Sequence, residues 1–452
     1  MSELKLISKH AGTVFVGQAA VIAFGIADTM IAGRFSDTAL AALSVGSAIY
    51  ISVYVGLIGI VQALLPVWAE LLGANQQKAI GQSLRQSLYL CGFVIAAGMA
   101  CLLFPGPLLA WAKVPADMLV DVQNYLTVLA FAFAPALLFR LYSTFNQSLG
   151  KPLLVTWLQV IALMVKIPLS IWWVGGGAGV QAMGVVGCAW ATLAVNYLLL
   201  ALGLLMLLTQ KMYRPFCIWQ PMEKPDWSAV GSFARLGIPA GLAYLVEVTS
   251  FTLMAVFIAK LGTVASASHQ IVASIAAAMY MMPLSMAIAC SARVSYWLGA
   301  GRPDLACHAI SVGLKLTCII SIALAATILI AKDTFAGWFS INPAIVTLAS
   351  SLLSWVALYH LADSAQAVSA FLLRCFRITL VPLALYCVLL WGLGLYGGYQ
   401  LTYVGIAELN GLSADPTPNS FWAASTVALG LVAVCFLFLL WRATRKIQYV
   451  DH

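Results

Sequence analysis

Long apolar runs separated by short polar breaks organise this chain. The runs fall at residues 12–33, 39–66, 87–111, 125–147, 153–174, 182–208, 233–260, 269–291, 309–331, 345–373, 378–399 and 421–441, twelve in all. A helix of roughly 20 apolar residues crosses the hydrocarbon core of a bilayer with its own backbone groups satisfied. The runs are continuous, as from Leu198 to Leu208, and lack the alternation of a membrane β-barrel. The pattern predicts an all-α integral membrane protein of twelve transmembrane helices in two six-helix lobes.

Composition agrees. Of 452 residues, 63% are hydrophobic and 8% charged, against about 45–50% and about 25% in a soluble domain. That excludes a soluble enzyme. No Walker loop, GxSxG or HExxH is present, so ATP hydrolysis and hydrolase chemistry have no foothold and no enzyme is expected. The net charge of +8 does not point to nucleic acid, because Lys and Arg are scattered through short connectors and form no basic face. The 10 cysteines show no CxxC spacing and read as small packing residues. The segment Met1 to His10 is polar, and the run after it is too long for a cleavable signal peptide.

Topology accounts for the charge. Twelve spans put both termini on one side. With that side cytoplasmic, 18 of the 23 Lys and Arg fall inside, while Arg34, Lys113, Lys260 and Lys332 fall outside. Lys166 remains, well inside the fifth span. The polar stretch 210–227, with Pro215, Pro221 and Pro225, reads as a cytoplasmic linker, dividing the chain into 1–209, a linker at 210–231, and 232–452. The halves align on each other at an offset of 226, which places Leu72-Gly73-Ala74-Asn75 on Leu298-Gly299-Ala300-Gly301 and Phe145 on Phe371. Six spans separate the copies, so both insert with the same orientation and the repeat is parallel. A cleft between the halves is expected.

Three acids lie inside spans: Asp28, Glu247 and Asp363. A central Asp costs about 2.5–3.5 kcal/mol on insertion scales, so an intramembrane carboxylate faces the bundle interior or a wet cavity and is a functional candidate. Such a group can load and unload a proton, or coordinate Na⁺ with nearby oxygens, and either cation couples transport to a gradient. Negative sites also attract a cationic substrate, and a site that holds one cation at a time favours exchange. The alternative is that each acid is neutralised by a buried base. Lys166 is the one clear intramembrane base, sufficient for Asp28 alone.

Other polar positions in spans are Gln18, Gln62, Asn146, Gln147, Gln159, Asn196, Gln270 and Gln366, as cavity lining or interhelical hydrogen bonds. His360 and Asp363 share a helix face at i, i+3, too few ligands for a metal site by themselves. Tyr280 and Met282, in the run Met279-Tyr280-Met281-Met282, offer adaptable surface for varied drugs, or ordinary packing.

At these residues the chain resembles the multidrug and toxic compound extrusion (MATE) family, nearer its NorM-like branch. The likeness is carried by Ala27-Asp28-Thr29-Met30-Ile31-Ala32-Gly33, by Leu236-Gly237-Ile238-Pro239-Ala240-Gly241 leading to Glu247, by Leu298-Gly299-Ala300-Gly301-Arg302-Pro303, and by Asp363 followed by Gln366. The resemblance implies a V-shaped pair of six-helix lobes in the bacterial inner membrane, exporting cationic amphipathic drugs in exchange for Na⁺ or H⁺. It implies that Asp28 is the N-lobe acid and that Glu247 with Asp363 is the C-lobe cation site. One departure stands out: where many members show Asn-Ile-Pro-Leu-Asn in span five, this chain has Lys166-Ile167-Pro168-Leu169-Ser170. Those asparagines belong to the network around the N-lobe acid.

The expected partners are organic cation drugs and membrane lipids, with no nucleic acid, no cofactor beyond the coupling ion, and a monomer as working unit. The competing transporter reading is a flippase for a lipid-linked or polar glycan, which calls for several Arg or Lys to hold phosphate. A passive channel is the third, and it needs no intramembrane acids in two lobes.

Overall fold

The computed structural model describes residues 2–111, 116–177, 179–405 and 416–450. Lys113, and Glu408 and Asp415 in the long connector 400–420, lie outside the described residues.

Twelve long apolar helices are present among the described residues. They are α1 (Glu3–Phe35), α2 (Asp37–Gly73), α3 (Gln77–Leu103), α4 (Ala116–Ser148), α5 (Leu153–Gly175), α6 (Val185–Thr209), α7 (Trp227–Ala259), α8 (Thr263–Gly299), α9 (Pro303–Phe339), α10 (Pro343–Cys375), α11 (Leu380–Val404) and α12 (Pro418–Val450). Their outer faces are apolar. On α12, Val427, Leu431, Val434, Phe438 and Trp441 are all exposed at alternating spacings of four and three, a stripe suited to lipid and not to water.

The helices outrun the apolar runs that reveal them. The third was expected at 87–111 and begins at Gln77, ten residues early, because Lys78, Arg85 and Gln86 are carried on the same helix. A helix continues while its backbone bonds are made, whatever its outermost turns carry. Capping side chains fix several ends. Ser36 accepts from the Ala39 amide at 3.0 Å before α2, and Asn342 accepts from the Ala344 amide at 3.0 Å before α10, with Pro343 in the first turn where its missing N–H costs nothing.

The repeat is plain in these limits. Adding 226 to Asp37 and Gly73 gives residues 263 and 299, the two ends of α8, and Gln77 goes to Pro303 at the start of α9. The same shift superposes two helix terminators in the left-handed region, Asn75 at φ 57° and Gly301 at φ 66°. Asn and Gly are the residues that tolerate such a position after a helix. The copies differ inside: α2 is interrupted at Ala63–Leu64 and resumes with Pro66 in its new first turn, while α8 runs through with Pro283 in its interior.

By packing, the chain divides into a unit of Thr13–Gly241 and a unit of Met1–Gly12 with Leu242–His452. In the first, α4 packs against α2, α3 and α6 around a core that includes Trp68, Phe133 and Phe145, each 0% exposed. In the second, α10, the repeat partner of α4, packs against α8, α9 and α12. The linker before α7 is strapped to α3: Arg85 makes an ion pair with Glu223 and donates to the Cys217 carbonyl at 2.7 Å. Tyr89 adds a bond to the Glu223 carbonyl at 2.7 Å. Arg85 thus belongs to a buried strut, where the sequence placed it in a connector. In the second unit Arg293 holds Glu3 with two bonds of 3.0 and 2.6 Å.

Candidate functional site

The Thr13–Gly241 unit brings Asp28, Lys166 and Ser170 together from α1 and α5. Lys166 and Ser170 are four residues apart and therefore share a helix face. Lys166 Nζ lies 2.9 Å from Asp28 Oδ2, and Ser170 Oγ donates to Asp28 Oδ1 at 3.1 Å. The lysine is 1% exposed. It also donates to Thr192 Oγ1 at 2.7 Å, and its ammonium stands 5.9 Å from the centre of the Phe24 ring. A buried ion pair survives desolvation when its remaining donors and acceptors find partners, as they do here. The Cys188 side chain, one turn before Thr192, lies within electrostatic reach of both Asp28 and Lys166.

Helix packing makes this convergence possible. Gly187 on α6 faces the α5 backbone so closely that an added Cβ would stand 2.6 Å from the Trp173 carbonyl carbon. Any larger residue would push α6, with Cys188 and Thr192, away from α5. Pro168, between Lys166 and Ser170, lacks an N–H and leaves the Met164 carbonyl without its helical donor.

The second unit assembles Glu247, Asp363 and Gln366 from α7 and α10, with Tyr386 from α11. The Gln366 amide donates to both acids, to Asp363 Oδ1 at 3.0 Å and to Glu247 Oε1 at 3.2 Å, while its own carbonyl oxygen accepts from the Tyr386 hydroxyl. Neither acid has an ion-pair partner among the described residues. Arg374, on the last turn of α10, acts on Glu247 through space but is stacked on the rings of Phe371 at 4.2 Å and Tyr244 at 5.1 Å. The phenols of Tyr280, Tyr359 and Tyr386 lie within electrostatic reach of both acids. Glu247 also lines an enclosed cavity of about 10 Å³ with Ser250, Phe251, Met254, Tyr359 and Ser425. That is room for about one water or a bare cation.

The structure brings six of the expected residues together, three at each site: Asp28, Lys166 and Ser170, and Glu247, Asp363 and Gln366. Tyr280 stands at the edge of the second. His360 is buried and turned to Ser364 at 3.4 Å. Gln18 is buried on α1, Asn196 and Met282 are half-buried, and Gln270 is exposed; none has a described bond to the acids. Thr192, Cys188, Tyr386 and Arg374 escaped the sequence reading. Thr192 stands four residues before Asn196 and shares its face of α6.

Twelve spans in a tandem repeat, with carboxylates held inside each half, define a membrane transporter. A sequence profile of the MatE family matches the chain twice, at residues 14–172 and 239–399, and the chain belongs to that family. It is 37% identical over 445 residues to a probable multidrug resistance protein NorM of Aromatoleum aromaticum, covering 98% of this chain and 95% of the relative. It is 30% identical over 448 residues to the multidrug resistance protein PmpM of Pseudomonas aeruginosa, covering 98% and 92%. Among solved structures, the eukaryotic MATE transporter AtDTX14 superposes with TM-score 0.86 at 19% identity over 100% of this chain and 99% of that one. The bent form of the Vibrio cholerae MATE transporter VcmN gives 0.85 at 15% identity over 99% and 98%. At such identity these two speak for the fold.

Proposed function

We propose that this chain is a secondary active multidrug exporter of the bacterial inner membrane, acting as a monomer with both termini cytoplasmic, which exchanges cationic amphipathic drugs for Na⁺ or H⁺ by alternating access. The observation that carries the reading is the arrangement of Glu247 and Asp363: two carboxylates joined through one amide, with no fixed cation between them and a cavity of about 10 Å³ alongside. When both are ionised they repel, and a bound cation removes the repulsion. Sodium would find the two carboxylates and Ser250 as hard oxygen ligands of the right chemistry; a proton needs only one carboxylate. Loss of that cation restores a negative site that attracts an organic cation in its place. The names of the NorM and PmpM relatives support the drug substrate.

A glycan flippase is favoured by no comparable observation, since Lys166, its one candidate phosphate ligand, is already engaged by Asp28 and Thr192. The test is efflux of a fluorescent organic cation such as ethidium from everted vesicles, with Na⁺ and pH gradients imposed separately. One of the two gradients should drive substrate movement, and adding substrate should dissipate it. Ion current without substrate, or no response to either gradient, would remove the exchange mechanism.

A further inference from the structure

In the unit that contains Leu242–His452, the end of α9 and the first turns of α10 line an open cleft of about 840 Å³. Its polar wall holds two opposite charges, Lys332 and Asp333, that do not pair with each other or with any other charge among the described residues. Serines on α10 keep them apart. Lys332 Nζ donates to Ser354 Oγ at 3.2 Å, which leaves two of its three N–H donors. Asp333 accepts from Ser350 through Oδ1, and no described donor reaches Oδ2. Trp355 and Leu358 supply an apolar side. Beside the cleft, Trp338 and Phe339 end α9 with 71% and 53% of their surface exposed, and Ile341 is 100% exposed. Exposed aromatic and apolar residues at the end of a membrane span lie where headgroups meet hydrocarbon.

These features constrain what fits. The ligand carries an anionic group for the free donors of Lys332 and, a short link away, a primary ammonium whose N–H groups reach Asp333 Oδ2. A quaternary ammonium has no N–H to donate, and a headgroup with anionic charge alone sets its negative end against the carboxylate. The apolar side of the cleft and the exposed collar of Trp338, Phe339 and Ile341 call for acyl chains on the same molecule. We propose that this cleft binds the headgroup of a phosphatidylethanolamine, phosphate on Lys332 and ammonium on Asp333, with its chains lying along the end of α9.

The two charges sit on α9, and the serines that hold them sit on α10, N-terminal to Asp363 on the same helix. Native mass spectrometry of the full chain in detergent, with phosphatidylethanolamine, phosphatidylcholine and phosphatidylglycerol supplied in equal amounts, reads the preference directly. Phosphatidylethanolamine should be retained about tenfold over the other two, as expected of one additional charge-assisted hydrogen bond. Lys332→Gln and Asp333→Asn should each abolish the preference. The charge-conserving Lys332→Arg and Asp333→Glu should keep it, which separates loss of the ligand from loss of fold. Equal retention of the three lipids, or a preference that survives both neutralising variants, overturns the assignment. Soluble phosphoethanolamine displacing the lipid at equal concentration would overturn the lipid as its source.

Discussion

Asp28 and Met254 stand at equivalent points of the repeat, 226 residues apart, and so do Lys166 and Gly392, Val21 and Glu247, Leu137 and Asp363. At these four positions one half carries a charge where the other is apolar. The duplication preserved the limits of α2 and α8, the terminators after them and the packing role of α4 and α10, and it did not preserve the polar sites. The half with Asp28 supplies its own counterion, the Lys166 ammonium 2.9 Å away. The half with Glu247 and Asp363 offers its acids the shared Gln366 amide, itself held by the Tyr386 hydroxyl, and no ion-pair partner among the described residues. These are two solutions to the same cost of burial: an ion pair in one half, hydrogen bonding without a paired charge in the other.

The largest effect expected from that difference is on transport. Glu247→Gln and Asp363→Asn should each reduce efflux in everted vesicles to the background of empty vesicles while expression stays intact, whereas the double variant Asp28→Asn/Lys166→Met should keep a measurable rate. Full efflux from both single variants of the second half would erase the distinction between the sites.

Next in size is the stability of the first half. Asp28→Asn strips the partner from an ammonium 1% exposed, at a cost of about 3–5 kcal/mol, seen as a lowered thermal midpoint and loss of efflux. Adding Lys166→Met should return most of that stability, because the unpaired charge goes with it. If the double variant is no more stable than Asp28→Asn, the pair is not the reason for the loss. Lys166→Asn alone should change the pH profile of efflux, since Asp28 then has no fixed cation; an unchanged profile would make the lysine purely structural.

The smallest effect lies in the linker. The hydrogen bond and charge of Arg85 hold the half-exposed Glu223 carboxyl below its usual range. A carboxyl depressed in the folded protein stabilises it above the ordinary carboxylate range, and the contribution is lost as pH falls through the depressed value. Water screens much of it here. Glu223→Gln should leave efflux at neutral pH unchanged and flatten the acid-side rise in proteolysis of residues 210–226; a wild-type rise in that variant would show that the strap owes its strength to the backbone bonds of Arg85 and Tyr89.

Much of this was legible in the residues. Continuous apolar runs announce spans because lipid admits little else, and Asp28, Glu247 and Asp363 stand out because a carboxylate is expensive there. The 226-residue offset found from Leu72-Gly73-Ala74-Asn75 holds in the structure, although the apolar runs placed the starts of α8 and α9 at 269 and 309, six residues late. Helix ends were less legible: Arg85 and Arg374 look like connector residues by hydropathy, yet both are buried on helices, one against the linker and one against Phe371. Partner side chains were least legible. Thr192 bonds the Cys188 carbonyl at 2.9 Å, as Ser and Thr commonly do inside helices, and nothing in sequence marks it as the acceptor for Lys166 as well. Tyr386 reads as one more aromatic in a greasy run until the fold turns its hydroxyl to Gln366.

The Lys166–Asp28 pair has an electrical consequence. Its charges sum to zero, so a voltage across the bilayer does no net work on the pair as a whole. Moving a single uncompensated charge through 100 mV is worth about 2.3 kcal/mol. In the exchange proposed above, the charge on which voltage does work is then that of the travelling cations themselves, and not of this pair.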